Sequence, residues 1–286
     1  MLAYLMILSI AEEEEPFSYH QAMKSANAHN WKVAMDEEYE SLIVNNSWQL
    51  CDLPKNRRIV DCRWIFKIKR MPDGSIDRFK TRLVARGFTQ VYGEDYHEIF
   101  SHVVRYDSIR ILLTYAVNKG TNIQQFDIKT AFLYGNIDEK IYMKQPLGYI
   151  KEEGKVCKLI KSLYGLKQAP RCFNVKFKEV LEKFKMKVSS ADSCVYIKRS
   201  EGSQMILAMY VDDGLLISDD PKLSAELLNH LKEHFKMNVN KFLGFEIKKI
   251  SNGSICLHQA YYIQKILNRF KMADCNSIST PMDASQ

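Results

Sequence analysis

The stretch MILAMYVDDGLLIS, Met205 to Ser218, sets two adjacent aspartates, Asp212 and Asp213, between two strongly apolar runs. Runs of this character read as the strands of a buried hairpin, which needs a sizeable core to receive it. A chain of 286 residues with 46% hydrophobic content is long enough, as one large domain or two to three subdomains. The charges at the tip have two readings. Asp-Gly between strand-like runs is a strong turn signal, with Gly214 supplying the positive φ and aspartate tolerating it. The same pair suits a divalent metal, because adjacent carboxylates repel unless a cation shares them. On this stretch alone both stand.

The formal net charge of +7 is spread unevenly. Between Lys55 and Arg86 eleven Lys or Arg face three Asp, and between Lys151 and Lys187 eleven face four acidic residues. A charge run is usually a solvated face, but two such blocks beside strand-like segments favour a polyanionic partner. Seven cysteines, odd in number and without C-x-x-C spacing, argue against a zinc ribbon or disulfide framework and for reduced intracellular thiols. The N-terminal LAYLMILSIA is too short to span a bilayer and lacks a basic leader before Glu12–Glu15. It reads as a core strand or as sequence outside the folded domain.

Helical spacing of Trp31, Ala34, Met35, Tyr39 and Leu42 predicts a helix from Trp31 to about Val44, with Asn30 as N-cap. Cys62, Trp64, Phe66 and Ile68 then alternate with Arg63, Lys67 and Lys69. Pro72-Asp73-Gly74 makes a turn, and Phe79 to Val84 returns, giving a hairpin apolar on one face and basic on the other. Further helices are predicted at Ser108–Lys119 (capped by Asp107, stopped by Gly120), Phe173–Lys187, Lys222–Lys236 and Ala260–Lys271. Further strands are predicted at Ile123–Ile128, Cys194–Lys198, Met205–Val211, Leu215–Ser218 and Phe242–Ile247. The class is α+β with a largely antiparallel sheet, and the element order suits a ferredoxin-like split βαβ core carrying a long insertion.

Asp127 closes the Ile123–Ile128 strand, where it either caps the next turn or serves as a rigidly held metal ligand. Three carboxylates at adjacent strand ends could hold two Mg²⁺ ions, which favour oxygen ligands and complete their shells with substrate phosphates. Asp219 and Asp220 precede Pro221 and a helix, so capping accounts for them.

Around these aspartates the chain carries QQFDIKTAFLYG, SLYGLKQAPR, YVDD and FLGFEI, preceded by WKVAMDEEYESLIVNNSWQLCDLP and RWIFKIKRMPDGSIDRFKTRLVARGFTQVYGEDY. This ordered set, from about Phe17 to Met282, resembles the reverse transcriptase of copia-like LTR retrotransposon Pol polyproteins. The resemblance implies a right-hand polymerase with a ferredoxin-like antiparallel palm, fingers and a partial thumb. Its parts would be an N-terminal extension (1–28), fingers (29–105 and 135–170), palm (106–134 and 171–250, with the primer-grip hairpin) and partial thumb (251–286).

Asp127, Asp212 and Asp213 would be the catalytic aspartates. With the Ile128 carbonyl they would bind two Mg²⁺ ions, Mn²⁺ being an alternative. Phe132 matches the bulky residue that excludes a ribose 2′-OH, although a plain core Phe has the same appearance. Tyr164, Gly165 and Lys167 match the nucleotide-pocket loop, Lys80 and Arg82 (with Arg86 nearby) the triphosphate contacts of the fingers, and Leu243 and Gly244 the primer grip. Template-primer and dNTPs would be partners, with no membrane, and the integrase and ribonuclease H parts of the polyprotein lie outside this chain. The setting would be intracellular, a cytoplasmic virus-like particle or the nucleus. The pattern departs from the family at the short NVNK segment before Phe242 and at His102, where proline is usual. A catalytically silent nucleic-acid-binding remnant is the rival reading. A metal-dependent nuclease lacks a convincing water-activating base.

Overall fold

The computed structural model describes residues 15–71, 75–200, 202–239, 246–250 and 254–277. Helices α1 (Tyr19–Lys24) and α2 (Ala28–Val44) open it. α2 buries Trp31, Ala34, Met35, Glu38 and Leu42, one face at helical spacing, and begins three residues before the predicted start, with Asn27 rather than Asn30 at the N-cap. After β1 (Trp48–Cys51) and β2 (Ile59–Val60), β3 (Cys62–Arg70) and β4 (Ile76–Ala85) form the expected ribbon. Cys62, Trp64, Phe66 and Ile68 are buried and their neighbours exposed. The predicted Pro72–Gly74 turn lies outside the described residues. α2 covers the apolar face, and the Thr81 hydroxyl donates to the Ala34 carbonyl at 2.9 Å.

The second half runs α3 (Tyr106–Lys119), β5 (Asn122–Ile128), a 3₁₀ turn (Ala131–Tyr134), β6 (Tyr142–Met143), β7 (Val156–Leu159) and α4 (Ala169–Lys183). Then come β8 (Lys187–Val188), β9 (Val195–Ser200), β10 (Ser203–Tyr210), β11 (Asp213–Ser218), α5 (Pro221–His234) and β12 (Met237–Val239). β13 (Glu246–Lys249), β14 (Ile255–His258) and α6 (Ala260–Arg269) follow. β1, β7, β6 and β2 form one small sheet, while β12-β5-β11-β10-β9-β8 is a six-stranded antiparallel sheet.

Within the larger sheet the path β5-α4-β10-β11-α5-β12 is β-α-β-β-α-β, with a long excursion before α4. Both faces are covered. α4 and α5 pack Phe173, Phe177, Leu227 and Leu231 against Met205, Leu207 and Met209. α3 packs Ile109, Leu112 and Leu113 against Ile206, Ala208, Leu215 and Ile217 on the other side. That double cover is why β10 and β11 read as continuous apolar runs. Each fully buried Leu or Phe stabilises the fold by roughly 1.5–3 kcal/mol.

Three local expectations need correction. α3 starts at Tyr106, and Asp107 does not cap it; its carboxylate pairs with Arg110 at 3.3 Å. A distant residue braces the start of the helix without capping its first-turn N–H groups: Asp192 accepts from the N–H of the N-cap residue Arg105 (3.1 Å), from the Ser108 hydroxyl (2.7 Å) and, within its own loop, from the Cys194 N–H (3.0 Å). α4 begins at Ala169, four residues before the predicted Phe173, with Pro170 in its first turn. Gly120 does stop α3 with φ +66°, and Asp220 caps α5 by accepting from the Lys222 and Leu223 N–H groups.

Candidate active site

The β10–β11 hairpin pairs Tyr210 with Asp213, so its two-residue loop is Val211–Asp212, not Asp-Gly. The positive φ also falls elsewhere than expected: Val211 carries φ +58°, and Gly214 is an ordinary strand residue. A β-branched residue in that region is strained by on the order of 1–3 kcal/mol. Glycine at 214 has a different cause. A Cβ there would meet the Phe126 ring, with Cε1 at 2.6 Å and two more ring atoms closer still. Phe126, in β5, is fully buried.

The packing of Phe126 over Gly214 belongs to the β5–β11 pairing, whose register sets Asp127 directly opposite Asp213. Cross-strand partners share a sheet face, and Phe126 and Ile128 point the other way into the helical layer. Asp212 joins them through the backbone, since the Ile128 N–H donates to the Asp212 carbonyl at 2.9 Å. Residues 85 apart in the chain are thus held at one end of the sheet by main-chain geometry. Burial raises the Asp212 carboxyl above the usual range, and the Asp127 charge pushes the same way, partly offset by Arg82. Among the described residues no three His, Cys, Asp or Glu side chains converge tightly enough to form a ready metal cage. The donors are carboxylate and carbonyl oxygens, the set that Mg²⁺ favours, and a divalent cation would relieve the penalty on Asp212.

A second group joins β4, the 3₁₀ turn and the loop before α4. The Arg82 guanidinium lies over the Tyr164 ring at 4.6 Å, and Tyr164 meets Phe132 edge to face at 5.0 Å. Phe132 also touches both main hydrophobic cores, and its carbonyl accepts from the Ser162 hydroxyl. Burial pushes the Tyr164 phenol up to about 12, with Asp212 and Asp127 adding to the rise and Arg82 opposing it. Arg82 likewise opposes the rise at Asp212, so the same cation acts on the phenol and on the carboxyl. Lys80 lies two residues back on the same face of β4, across from Lys67. Its ammonium is lowered by burial and then by Arg82, Lys69 and Arg78. Glu38, absent from the expected site residues, is buried beneath this face and accepts from the Leu83 N–H at 3.3 Å. A signal existed: Glu38 occupies the i+7 position after Trp31 on the apolar face of α2.

Residues 45–284 match the family described as reverse transcriptase (RNA-dependent DNA polymerase). The chain belongs to that family. It is 40% identical over 282 residues to the retrovirus-related Pol polyprotein from transposon TNT 1-94 of Nicotiana tabacum, covering 96% of this chain and 21% of that protein. It is 38% identical over 289 residues to the Pol polyprotein from transposon RE1 of Arabidopsis thaliana, covering 99% and 19%. The chain therefore spans about a fifth of the length of these copia-like relatives. A more distant relative is the Ty1-DR5 Gag-Pol polyprotein of Saccharomyces cerevisiae, 27% identical over 79% of this chain and 12% of that protein.

Other expected site residues of this reverse transcriptase chain are placed less directly. Gly165, at φ +90°, faces β4: a Cβ would meet Val84 Cγ1 at 2.6 Å and the Ala85 carbonyl closer still. The Ala85 N–H donates to the Tyr164 carbonyl at 2.8 Å, so this loop is sewn to the ribbon. The Lys167 ammonium reaches the Gln90 carbonyl (3.3 Å) and the Tyr96 hydroxyl (3.1 Å) and lies over the Tyr96 ring at 4.5 Å. Arg86 pairs with Asp61 at 3.4 Å. Leu243 and Gly244 lie outside the described residues. No helix among those described is long and apolar enough to cross a membrane.

Proposed function

We propose that the chain is the polymerase unit of a copia-like retrotransposon Pol polyprotein, adding dNTPs to a primer 3′-OH on an RNA template. The observation that carries this reading is the register that sets Asp127 opposite Asp213, with Asp212 on the adjoining turn and bonded to Ile128. On this reading the six-stranded sheet is the palm, and its β-α-β-β-α-β path is the ferredoxin-like one. The β3–β4 ribbon belongs to the fingers, and residues 251–286 begin a thumb. Template-primer and dNTPs are the partners, with the remaining polyprotein supplied elsewhere.

Asp127, Asp212, Asp213 and the Ile128 carbonyl would hold two Mg²⁺ ions, or Mn²⁺, whose charge would activate the primer oxygen and stabilise the leaving pyrophosphate. The chain's own residues bind and align. Arg82 and Lys80 present cations to the triphosphate, with Arg offering a bidentate grip. Phe132, backed by Tyr164, closes the space where a ribose 2′-OH would lie. The primer oxygen attacks the α-phosphorus as the bond to pyrophosphate breaks, so catalysis rests on alignment and electrostatics.

The test is primer extension on poly(rA)/oligo(dT) with Mg²⁺ or Mn²⁺. We expect incorporation by the chain and its loss in Asp212→Asn with the fold intact. The rival, a silent nucleic-acid-binding remnant, draws on the short NVNK segment before Phe242. Folded protein that binds template-primer but adds no nucleotide with either metal would establish that rival.

A further inference from the structure

Gln90 and Gln168, 78 residues apart, are both buried and bond to each other, Gln90 Nε2 donating to Gln168 Oε1 at 3.0 Å. Backbone partners fix the orientation of both carboxamides. The Lys167 N–H donates to Gln90 at 2.8 Å, so the oxygen of Gln90 lies there. The Asp95 carbonyl accepts from Gln168 at 2.8 Å, so the nitrogen of Gln168 lies there. The remaining end of each group then meets the other as donor to acceptor. Gln168 Nε2 also donates to the Glu139 carboxylate at 3.3 Å, which brings both of its N–H groups and its oxygen into use.

Helix stability does not account for the pair. Gln168 occupies the N-cap of α4, yet its side chain makes no cap bond and turns to Gln90 instead. What the pair joins is the 3₁₀ turn Gly87–Thr89, with the residues just after it, and the loop Tyr164–Lys167. The two backbones touch. A Cβ on Gly87 would lie 2.0 Å from the Gly165 carbonyl oxygen and 3.0 Å from Gln90 Oε1. The Lys167 ammonium closes the same seam through the Gln90 carbonyl and the Tyr96 hydroxyl. The loop held in this way carries Tyr164, whose ring takes the Arg82 guanidinium on one side and the Phe132 edge on another. A buried polar network with its partners in place specifies one arrangement, so the seam fixes where that ring stands.

We propose that Gln90 and Gln168 are positioning residues for the nucleotide pocket. Their bond holds the Tyr164–Lys167 loop against the Gly87–Thr89 turn and thereby sets the Tyr164 ring behind Phe132, where the incoming sugar is sensed. Both act through Tyr164 rather than by contact with the nucleotide. The inference rests on the reading of this chain as a polymerase and names what keeps that site selective for its sugar.

The test is steady-state primer extension on poly(rA)/oligo(dT) by the full chain, with KM and kcat measured for dTTP and for UTP. Gln168→Met, close in length but without the carboxamide, should raise KM for dTTP about five- to tenfold with kcat within about twofold. The preference for dTTP over UTP should fall about threefold. Gln90→Met should do the same, and the double variant should match the worse single, because both break one unit. Asp192→Ala, which loosens the fold at α3 instead, should leave KM and the sugar preference within about twofold of the parent. Unchanged KM in both glutamine variants, effects that multiply in the double variant, or an equal shift in Asp192→Ala would overturn the proposal. Failure of both single variants to fold would overturn it too, and if one fails the other carries the test. Binding of dTTP to the chain on a chain-terminated template-primer separates this reading from the polymerase one. A parent that extends no primer but binds dTTP more tightly than Gln168→Met does refutes the polymerase reading and leaves this one supported. A parent whose dTTP affinity equals that of the variant, or that binds none, overturns this one.

Discussion

Replacing Gly214 with alanine separates two explanations for a glycine beside the paired aspartates. If Gly214 served a turn, its cost would be conformational, about 1 kcal/mol, and Gly214→Asn would be tolerated because asparagine accepts positive φ. The structure instead makes the cost steric. The added Cβ would lie 2.6 Å or less from three atoms of the Phe126 ring, against an ordinary carbon–carbon contact of about 3.5–4.0 Å. The ring is fully buried and must shift by about 1 Å. Overpacking of this kind costs about 1–3 kcal/mol, and three simultaneous contacts place Gly214→Ala near about 3. With a urea m-value near about 3 kcal/mol/M, the midpoint should fall by about 1 M. Gly214→Asn should be at least as harmful. Phe126→Leu, destabilising alone, should recover part of the loss in the Gly214→Ala background. A midpoint change below about 0.2 M, or an asparagine variant milder than alanine, refutes the packing explanation. Because Phe126 adjoins Asp127, primer extension should fall together with stability.

Three further outcomes follow from contacts already described. Burial raises the Glu38 carboxyl in the folded chain, so the fold binds its proton more tightly than the unfolded chain does. Stability from this group is complete below the unfolded value of 4.5 and is lost as pH rises through the folded one. Glu38→Gln should flatten that decline and stabilise the chain at pH 8, measured by urea melts; a less stable variant there contradicts this. Asp192→Ala removes two bonds at the start of α3 and one within its own loop and should cost about 2–3 kcal/mol by the same assay, against near-neutrality for Asp107→Ala. Phe132→Ala should raise ribonucleotide incorporation relative to dNTP incorporation, and an unchanged preference removes Phe132 from the pocket.

The elements legible in the sequence were those whose cause is local. The alternation of Cys62, Trp64, Phe66 and Ile68 marks β3, and Asp220 before Pro221 marks the start of α5. Asp212 and Asp213 drew notice because charges rarely close an apolar hairpin. What escaped detection depends on partners far along the chain. The start of α3 is braced by the distant Asp192, while nearby Asp107 pairs with Arg110 instead of capping it. Gly214 looked like a turn residue because the Phe126 ring that requires it lies in β5. The strain at Val211 has no sequence signature, since valine is a residue that turns of this kind disfavour. The stack of Arg82, Tyr164 and Phe132 joins three separate segments. Glu38 alone could have been found locally, as an acid on an apolar helical face.

The position of β5 in the sheet also bears on synthesis. Its hydrogen-bonding partners on both sides, β11 and β12, lie downstream, with Asp213 86 residues after Asp127. At about 5–20 residues per second, a ribosome leaves that apolar strand without either neighbour for about 4–17 s. Pairings so distant in sequence also close slowly, and an unpaired strand edge invites association with other chains. Among the strands of the six-stranded sheet β5 is thus the one that waits longest for a partner, and Asn122–Ile128 should be the part of that sheet most open to a chaperone that binds extended chain.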